Sequence, residues 1–377
     1  MTRRITRKNS GLISNRPLTI SAQYGLIDQR DFFKKAVASE NIEGYYLLKR
    51  GEFAYNKSYS NEHPWGAVKR LDSYSEGVLS TLYICFESMG ILSDWMVHYF
   101  DSSHWHKQVS EIAVEGARNH GLLNVSVEDF FNTYHYIPKT TIEQKKIATF
   151  LSLIDERITT QIGAIEKLKS LISSLNDKLQ FQFCNEVNLS FSEIGNDYSG
   201  LSGKSANDFG RGKPYIPYTN IYANTFVDDS QFDLVEINEG EHQCRVLNGD
   251  VLFTLSSEVP EEVCVGSVYL GNEKELYLNS FCFGVHINSN KIHSPYLAYF
   301  VKSSIFRHTV YPLAQGSTRF NLQKSDFLKR KFSFPNIEHQ IKIANVLMAI
   351  DSKLKIEQKL LEQYKLQKQY LLSQMFI

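Results

Sequence analysis

Four stretches bring reactive side chains close together. His104-Trp105-His106 offers two imidazoles, but at i and i+2 they diverge on a helix. No Cys or acid stands at ligand spacing, so they read as a surface pair with no metal bound. Glu143-x-Lys145 and Glu357-x-Lys359 match half of a nuclease carboxylate–lysine pattern; both fall in runs of helical periodicity, where i,i+2 residues cannot converge on a metal. "DFGRGKP", residues 208–214, holds a Gly-x-Gly without a strand-loop-helix frame and reads as a polar loop, not a cofactor cradle. There is no Asn-Pro-Pro-Tyr or Asp-Pro-Pro-Tyr to hold an extruded adenine. The chain is therefore read as non-catalytic, with no metal and no cofactor of its own.

Composition narrows the classes further. The 377 residues suffice for two cores, and 41 basic against 41 acidic residues leave a formal net charge of zero. No whole-molecule field draws this chain to a polyanion, so any nucleic-acid surface must be local. Five scattered cysteines without a C-x-x-C pair suggest neither a disulfide framework nor a zinc module. The basic start "MTRRITRKNS" lacks a following apolar region, and no apolar run is long enough to span a bilayer. A cytoplasmic location, with no membrane partner, is the expectation.

The elements that must position any site occur twice. "IEQKKIATFLSLIDERI" (residues 142–158) returns as "IEHQIKIANVLMAIDSKL" (337–354), with Gln144, Ile147, Leu151 and Asp155 matching Gln340, Ile343, Leu347 and Asp351 at a displacement of 196 residues. Upstream, "NVSVEDF" from Asn124 matches "NLQKSDF" from Asn321, "GEFAYNKS" from Gly51 matches "GDVLFTLS" from Gly249, and "YFDSSHWHKQV" from Tyr99 matches "YFVKSSIFRHTV" from Tyr299. Ordered matches with slowly drifting displacement mark a duplication of one domain plus one helix. In the first copy a Pro-free run carries Ile147, Leu151, Ile154, Ile158, Ile162, Ile165, Leu168, Ile172, Leu175 and Leu179 at steps of three and four; in the second, Leu347, Ile350, Leu354, Leu361 and Leu371 continue the same stripe. Each predicts a helix of roughly 60 Å at ~1.5 Å per residue, with Thr140 or Thr141 as the first N-cap. A single stripe is not stable alone, and the economical partner is the other long helix, antiparallel. Glu357 and Lys368 on the seam argue against a simple zipper.

A globular domain ending in "PKTTIEQKKIATFLSLIDERI" (residues 138–158), a long helix, and then the whole again ending in "PNIEHQIKIANVLMAIDSKL" (335–354) resembles the specificity subunit of a type I restriction-modification system. The resemblance covers the whole chain. It implies an α+β fold of two tandem target recognition domains of mixed strand and helix, each followed by a long α-helix, the helices pairing antiparallel as a coiled-coil-like spacer. The expected boundaries are 1–140, first recognition domain; 141–183, central helix; 184–336, second recognition domain; and 337–377, C-terminal helix. Because residue 1 corresponds to about residue 198, the opening strand of the first domain is expected to be missing. The resemblance further implies a non-catalytic subunit in which each domain reads one half of a bipartite target in double-stranded DNA. The helices would set the spacing and dock two methyltransferase subunits, which would bind S-adenosylmethionine, and a translocase-nuclease subunit would complete the complex. Two alternatives are the specificity subunit of a related system with a fused nuclease-methyltransferase partner, and a coiled-coil adaptor that touches no DNA.

Reading bases directly requires polar side chains on loops that can enter a groove. The candidates are Gln23, Tyr24, Asn56, Lys57, Ser58, Arg118, Asn119 and His120 in the first copy. In the second they are Thr219, Asn220, Tyr222, Ser256, Ser257, Gln315, Ser317, Thr318 and Arg319. For helix pairing the candidates are Ile147, Leu151, Ile154, Ile158, Ile165, Leu347, Ile350, Leu354, Leu361 and Leu371.

Overall fold

The computed structural model describes residues 2–21, 25–33, 41–59, 63–113, 123–183 and 187–376. The chain divides into two compact units, Met1–Ile162 with Lys359–Ile377, and Gly163–Gln358. Each unit thus combines one globular part with segments of both long helices. No helix among the described residues is long and apolar enough to cross a membrane.

The same antiparallel sheet stands in both units. Its order is Thr2–Arg4, Ile84–Ser88, Phe53–Asn56, Ala67–Arg70 in the first, and Gly195–Ser199, Cys282–Ile287, Val251–Thr254, Gly266–Val268 in the second. Phe53 pairs with Phe86 as Val251 pairs with Val285. Alternation sends successive side chains to opposite faces, and both faces are covered: Phe53 and Tyr55 enter one core while Ala54 enters another, as Val251 and Phe253 do opposite Leu252. The turns before the matched strands need Gly51 and Gly249, at φ +88° and +90°. The acid that follows closes each turn, Glu52 accepting from the Lys49 N–H at 2.7 Å and Asp250 from the Leu247 N–H at 2.8 Å. The strand pair Val187–Ser190 with Lys331–Phe334 occurs only in the second unit among the described residues. The Gly-x-Gly of residues 210–212 is corrected from loop to strand: it lies in Phe209–Ile216, whose pairing with Asp233–Val235 is bulged between Phe209 and Lys213.

The long helices run Thr141–Phe183 and Ile337–Met375. Thr140 Oγ1 accepts from the Glu143 N–H, and Asn336 Oδ1 from the His339 N–H, so each start is capped. One turn further in, the repeated glutamine is buried and clamps the helix to its domain. Gln144 Oε1 accepts from the N–H of Leu92, the residue preceding the domain helix Ser93–Asp101, at 2.8 Å, while its Nε2 donates to the Pro138 carbonyl at 3.1 Å. Gln340 does the same with the His293 N–H at 2.9 Å and the Pro335 carbonyl at 2.8 Å, ahead of the domain helix Ser294–Phe300. These contacts shift the expected match of Tyr99 with Tyr299 by one residue. His98 and Tyr299 are the equivalent pair, since they face the matched Asp155 and Asp351.

Beyond the clamp, Ala148 and Leu151 enter the first core and Ile343, Ala344 and Leu347 the second, so Leu151 and Leu347 serve domain docking. Each core is completed by the far end of the other helix: Leu371, Leu372 and Phe376 in the first unit, Leu175, Leu179 and Phe183 in the second. Within the first unit Asp155 meets Lys368 and Arg157 lies over Tyr364; within the second, Phe183 meets His339. In the first unit one number falls as the other rises, so the pairing there is antiparallel; in the second the end of the central helix meets the start of the C-terminal one. Ile147, Ile154 and Leu371 are half-buried against the first core; Ile158, Ile350, Leu354 and Leu361 are half-buried, and Ile165 is buried.

The two closures differ in chemistry. In the second unit buried Asn176 donates to the Tyr299 carbonyl at 2.8 Å, and buried Gln180 accepts from the Tyr296 hydroxyl. At the matching helix positions the first unit has Leu372 and Phe376, the latter packing edge-on against Trp95 and Tyr99 at 5.6 Å. There, Lys368 carries the polar contacts: its ammonium reaches Asp155 at 2.7 Å and Asp101 at 3.3 Å, and Lys69 completes Asp101 at 2.7 Å. His98, Asp101 and Asp155 bring ligand atoms within 4.8 Å of one another, but this ammonium already pairs both carboxylates. Burial pushes the Asp101 carboxyl up, yet the two ammoniums together outweigh it and hold it below the usual range. Burial likewise pushes Lys368 down, and the carboxylates overcome it to raise the net value.

Replacing Gln144 or Gln340 with Leu leaves a buried N–H and carbonyl unpaired and is expected to destabilise its own unit by about 2 kcal/mol. Hydrogen exchange should report the loss in that unit, and equal loss in both would refute the local clamp. Lys368→Met is expected to cost roughly 2 kcal/mol, discounted for the partial exposure of Asp155. The charge contribution is present above the ordinary Asp value of 3.8 and disappears as pH falls through the depressed value of Asp101. On the alkaline side it is complete below 10.5 and disappears as pH rises through the raised value of Lys368. Denaturation curves of wild type and variant should converge outside that window.

Candidate nucleic-acid interface

In the second unit, a hairpin joins Ala314–Gln315 to Phe320–Leu322 and pairs on its other side with Ser256–Ser257. Its tip holds Gln315, Ser317, Thr318 and Arg319, all exposed. Gly316 makes the turn possible: it sits at φ +145°, and a Cβ there would lie 2.0 Å from the Arg319 carbonyl oxygen. Beside the hairpin opens a groove lined by Tyr218, Tyr222, Ser256, Ser257, Glu258, Glu262, Phe281 and Arg319.

Each wall has its own support. The helix Tyr218–Ala223 supplies two rings that stack at 6.1 Å, and the Tyr218 hydroxyl donates to the Ser256 carbonyl at 2.9 Å. The acidic wall is fastened from behind by Arg307, which donates to the carbonyls of Glu261, Val263 and Cys264 at 2.5, 2.7 and 3.1 Å. Cys264 is held there at φ +61°, a conformation that non-glycine residues rarely adopt. The Arg319 guanidinium lies over the exposed Phe281 ring, 5.6 Å from its centroid. Tyr222 hydrogen-bonds Glu262, which pushes the phenol upward; burial does the same for Tyr218.

The structure therefore gathers Tyr222, Ser256, Ser257 and Arg319 at one groove and leaves Thr219 exposed on the adjoining helix. Ser256 and Ser257 are themselves buried by strand pairing. Asn220 requires correction. It is fully buried, its Nδ2 donating to the Asp228 carbonyl and its Oδ1 accepting from the Asp228 N–H, so it secures the chain rather than meeting a ligand. Tyr218, Glu258, Glu262 and Phe281 were not among the candidates. Glu258 continues the "TLSSE" stretch that supplied the two serines.

In the first unit Asn56 Oδ1 accepts from both the Ser58 N–H and its hydroxyl, and the half-buried Lys57 donates to the Val125 carbonyl at 3.3 Å. Only Ser58 of these three is exposed. Gln23, Tyr24, Arg118, Asn119 and His120 lie outside the described residues. Trp105 is buried, with His104 and His106 half-buried on either side.

Residues 201–366, which include this groove and most of the C-terminal helix, match the family model of the type I restriction modification DNA specificity domain. No curated protein matches the chain at a significant level. Among solved structures, a chain from a study of complex assembly and conformational transition of the type I R-M system aligns over 100% of this chain and 97% of its own, with TM-score 0.58 and 13% identity. The S subunit of a type I restriction-modification system from M. genitalium aligns over 100% and 96%, with TM-score 0.51 and 15% identity. At these identities the likeness is one of fold. In fold the chain thus resembles, along its whole length, the solved S subunit of a type I restriction-modification system, and its residues 201–366 match the model of the DNA specificity domain of these systems.

Proposed function

We propose that this chain is the DNA sequence-specificity subunit of a type I restriction-modification complex, each globular part reading one half of a bipartite target. The observation that carries the reading is the duplicated unit: two domains, each fixed to a long helix by the same glutamine clamp. The second also presents an exposed polar hairpin beside an aromatic groove. In this reading the long helices set the base-pair spacing between the two half-sites.

Partner docking has support in each unit. On the first, Ile142, Phe150 and Leu153 form an exposed apolar face of the central helix, flanked by Lys145, Lys146 and Thr149. On the C-terminal helix Val346, at the position matching Phe150, is also exposed, and exposed Ile341 stands where the central helix has Lys145. Two related faces suit two copies of one partner, the methyltransferase subunit. S-adenosylmethionine and methyl transfer belong to that partner in this reading, and a translocase-nuclease subunit joins the same assembly.

A gel shift of the full chain with its methyltransferase subunit against random duplexes is expected to enrich two short motifs at a fixed separation. Enrichment of one contiguous motif would overturn the two-reader arrangement, and no sequence preference would favour a protein adaptor.

A further inference from the structure

We infer that the groove of the second unit reads a G·C base pair, Glu258 accepting from the cytosine N4 amino group and Arg319 donating to guanine O6 and N7. This rests on the proposed reading of the chain as a DNA specificity subunit, and names what that site selects.

The charge at the groove carries the inference. A surface that only gripped phosphates would gain nothing from carboxylates, yet Glu258 and Glu262 both line this one. Beside a polyanion they are repulsive, so their presence at the mouth favours contact with a base edge that offers a hydrogen-bond donor. Glu262 is engaged by Tyr222 and by the Ser257 hydroxyl at 3.3 Å. Glu258 is exposed, directly after the strand Ser256–Ser257 and three residues before Glu261, whose carbonyl Arg307 holds. In the major groove only cytosine N4 and adenine N6 present amino donors.

Arg319 chooses between them. Its guanidinium lies over Phe281, and the Gly316 turn fixes the loop that bears it. A stacked guanidinium keeps its planar donor fork, which matches guanine O6 and N7 and finds no equivalent pair of acceptors on an A·T edge. The pair that satisfies both side chains is G·C.

Selection from random duplexes by the full chain with its methyltransferase subunit tests this, comparing wild type with Glu258→Ala and Arg319→Ala. Both side chains are exposed, and matched thermal unfolding would confirm that the variants fold. The expected wild-type motif has a G·C pair in one half-site. Each variant is expected to lose roughly ten- to a hundredfold of the discrimination at that pair, leaving the other half-site unchanged. Uniform weakening by Arg319→Ala on every duplex, with a salt slope shallower by about one, would mark a phosphate contact and overturn the inference. So would a motif unchanged in Glu258→Ala. A bipartite motif without such a pair overturns this inference alone, whereas absence of any motif overturns the specificity-subunit reading with it.

Discussion

The glutamine at the start of each long helix is the contact on which the rest depends. A helix N-terminus leaves backbone donors without intrahelical partners, and a buried amide is costly unless both its ends are used. Gln144 and Gln340 use both: the carbonyl takes the N–H that precedes a domain helix, and the amino group takes a proline carbonyl just upstream. That fixes the helix start against the domain in position and rotation. The apolar side chains that follow then face the core, and Phe130 and Phe327 pack from the matching short helices.

Each core is also built from parts distant in the chain. The first unit needs Leu372 and Phe376 from the last turns of the chain, and the second needs Leu179 and Phe183 from the end of the central helix. Packing on a domain face supplies what a lone amphipathic helix lacks. The ion-pair group around Lys368 adds direction to this packing, because its ammonium fits only where Asp101 and Asp155 converge.

Much of this could be read from spacing. The duplication, the helix limits and the apolar stripe follow from periodicity, which is local. The role of the repeated glutamine did not follow, because its partners Leu92 and His293 lie about fifty residues upstream and offer only backbone atoms. Lys368 stood out as a charge on an apolar seam, but nothing in the sequence linked it to Asp101. In the groove, Tyr222 and Arg319 line the walls as polar residues the sequence offers, whereas Ser256 and Ser257 lie in a buried strand and not in a loop. Asn220 differs from the expectation because Asn serves turns as readily as ligands, and here its side chain is taken by Asp228 and Asn224. Tyr218 and Phe281 escaped notice because aromatic residues are common in cores.

The unlike closures of the two units bear on how such a gene can change by recombination. Asn176 and Gln180 answer the Tyr299 carbonyl and the Tyr296 hydroxyl, while Phe376 answers Trp95 and Tyr99. A cassette exchange cut at the edges of the globular sequence would import a head whose last core residues stay behind in the other half of the gene. An acceptable crossover must therefore carry the far helix end along, or land in a recipient that already offers side chains of the same kind. Inheritance in this fold follows the packing, not the order of the chain.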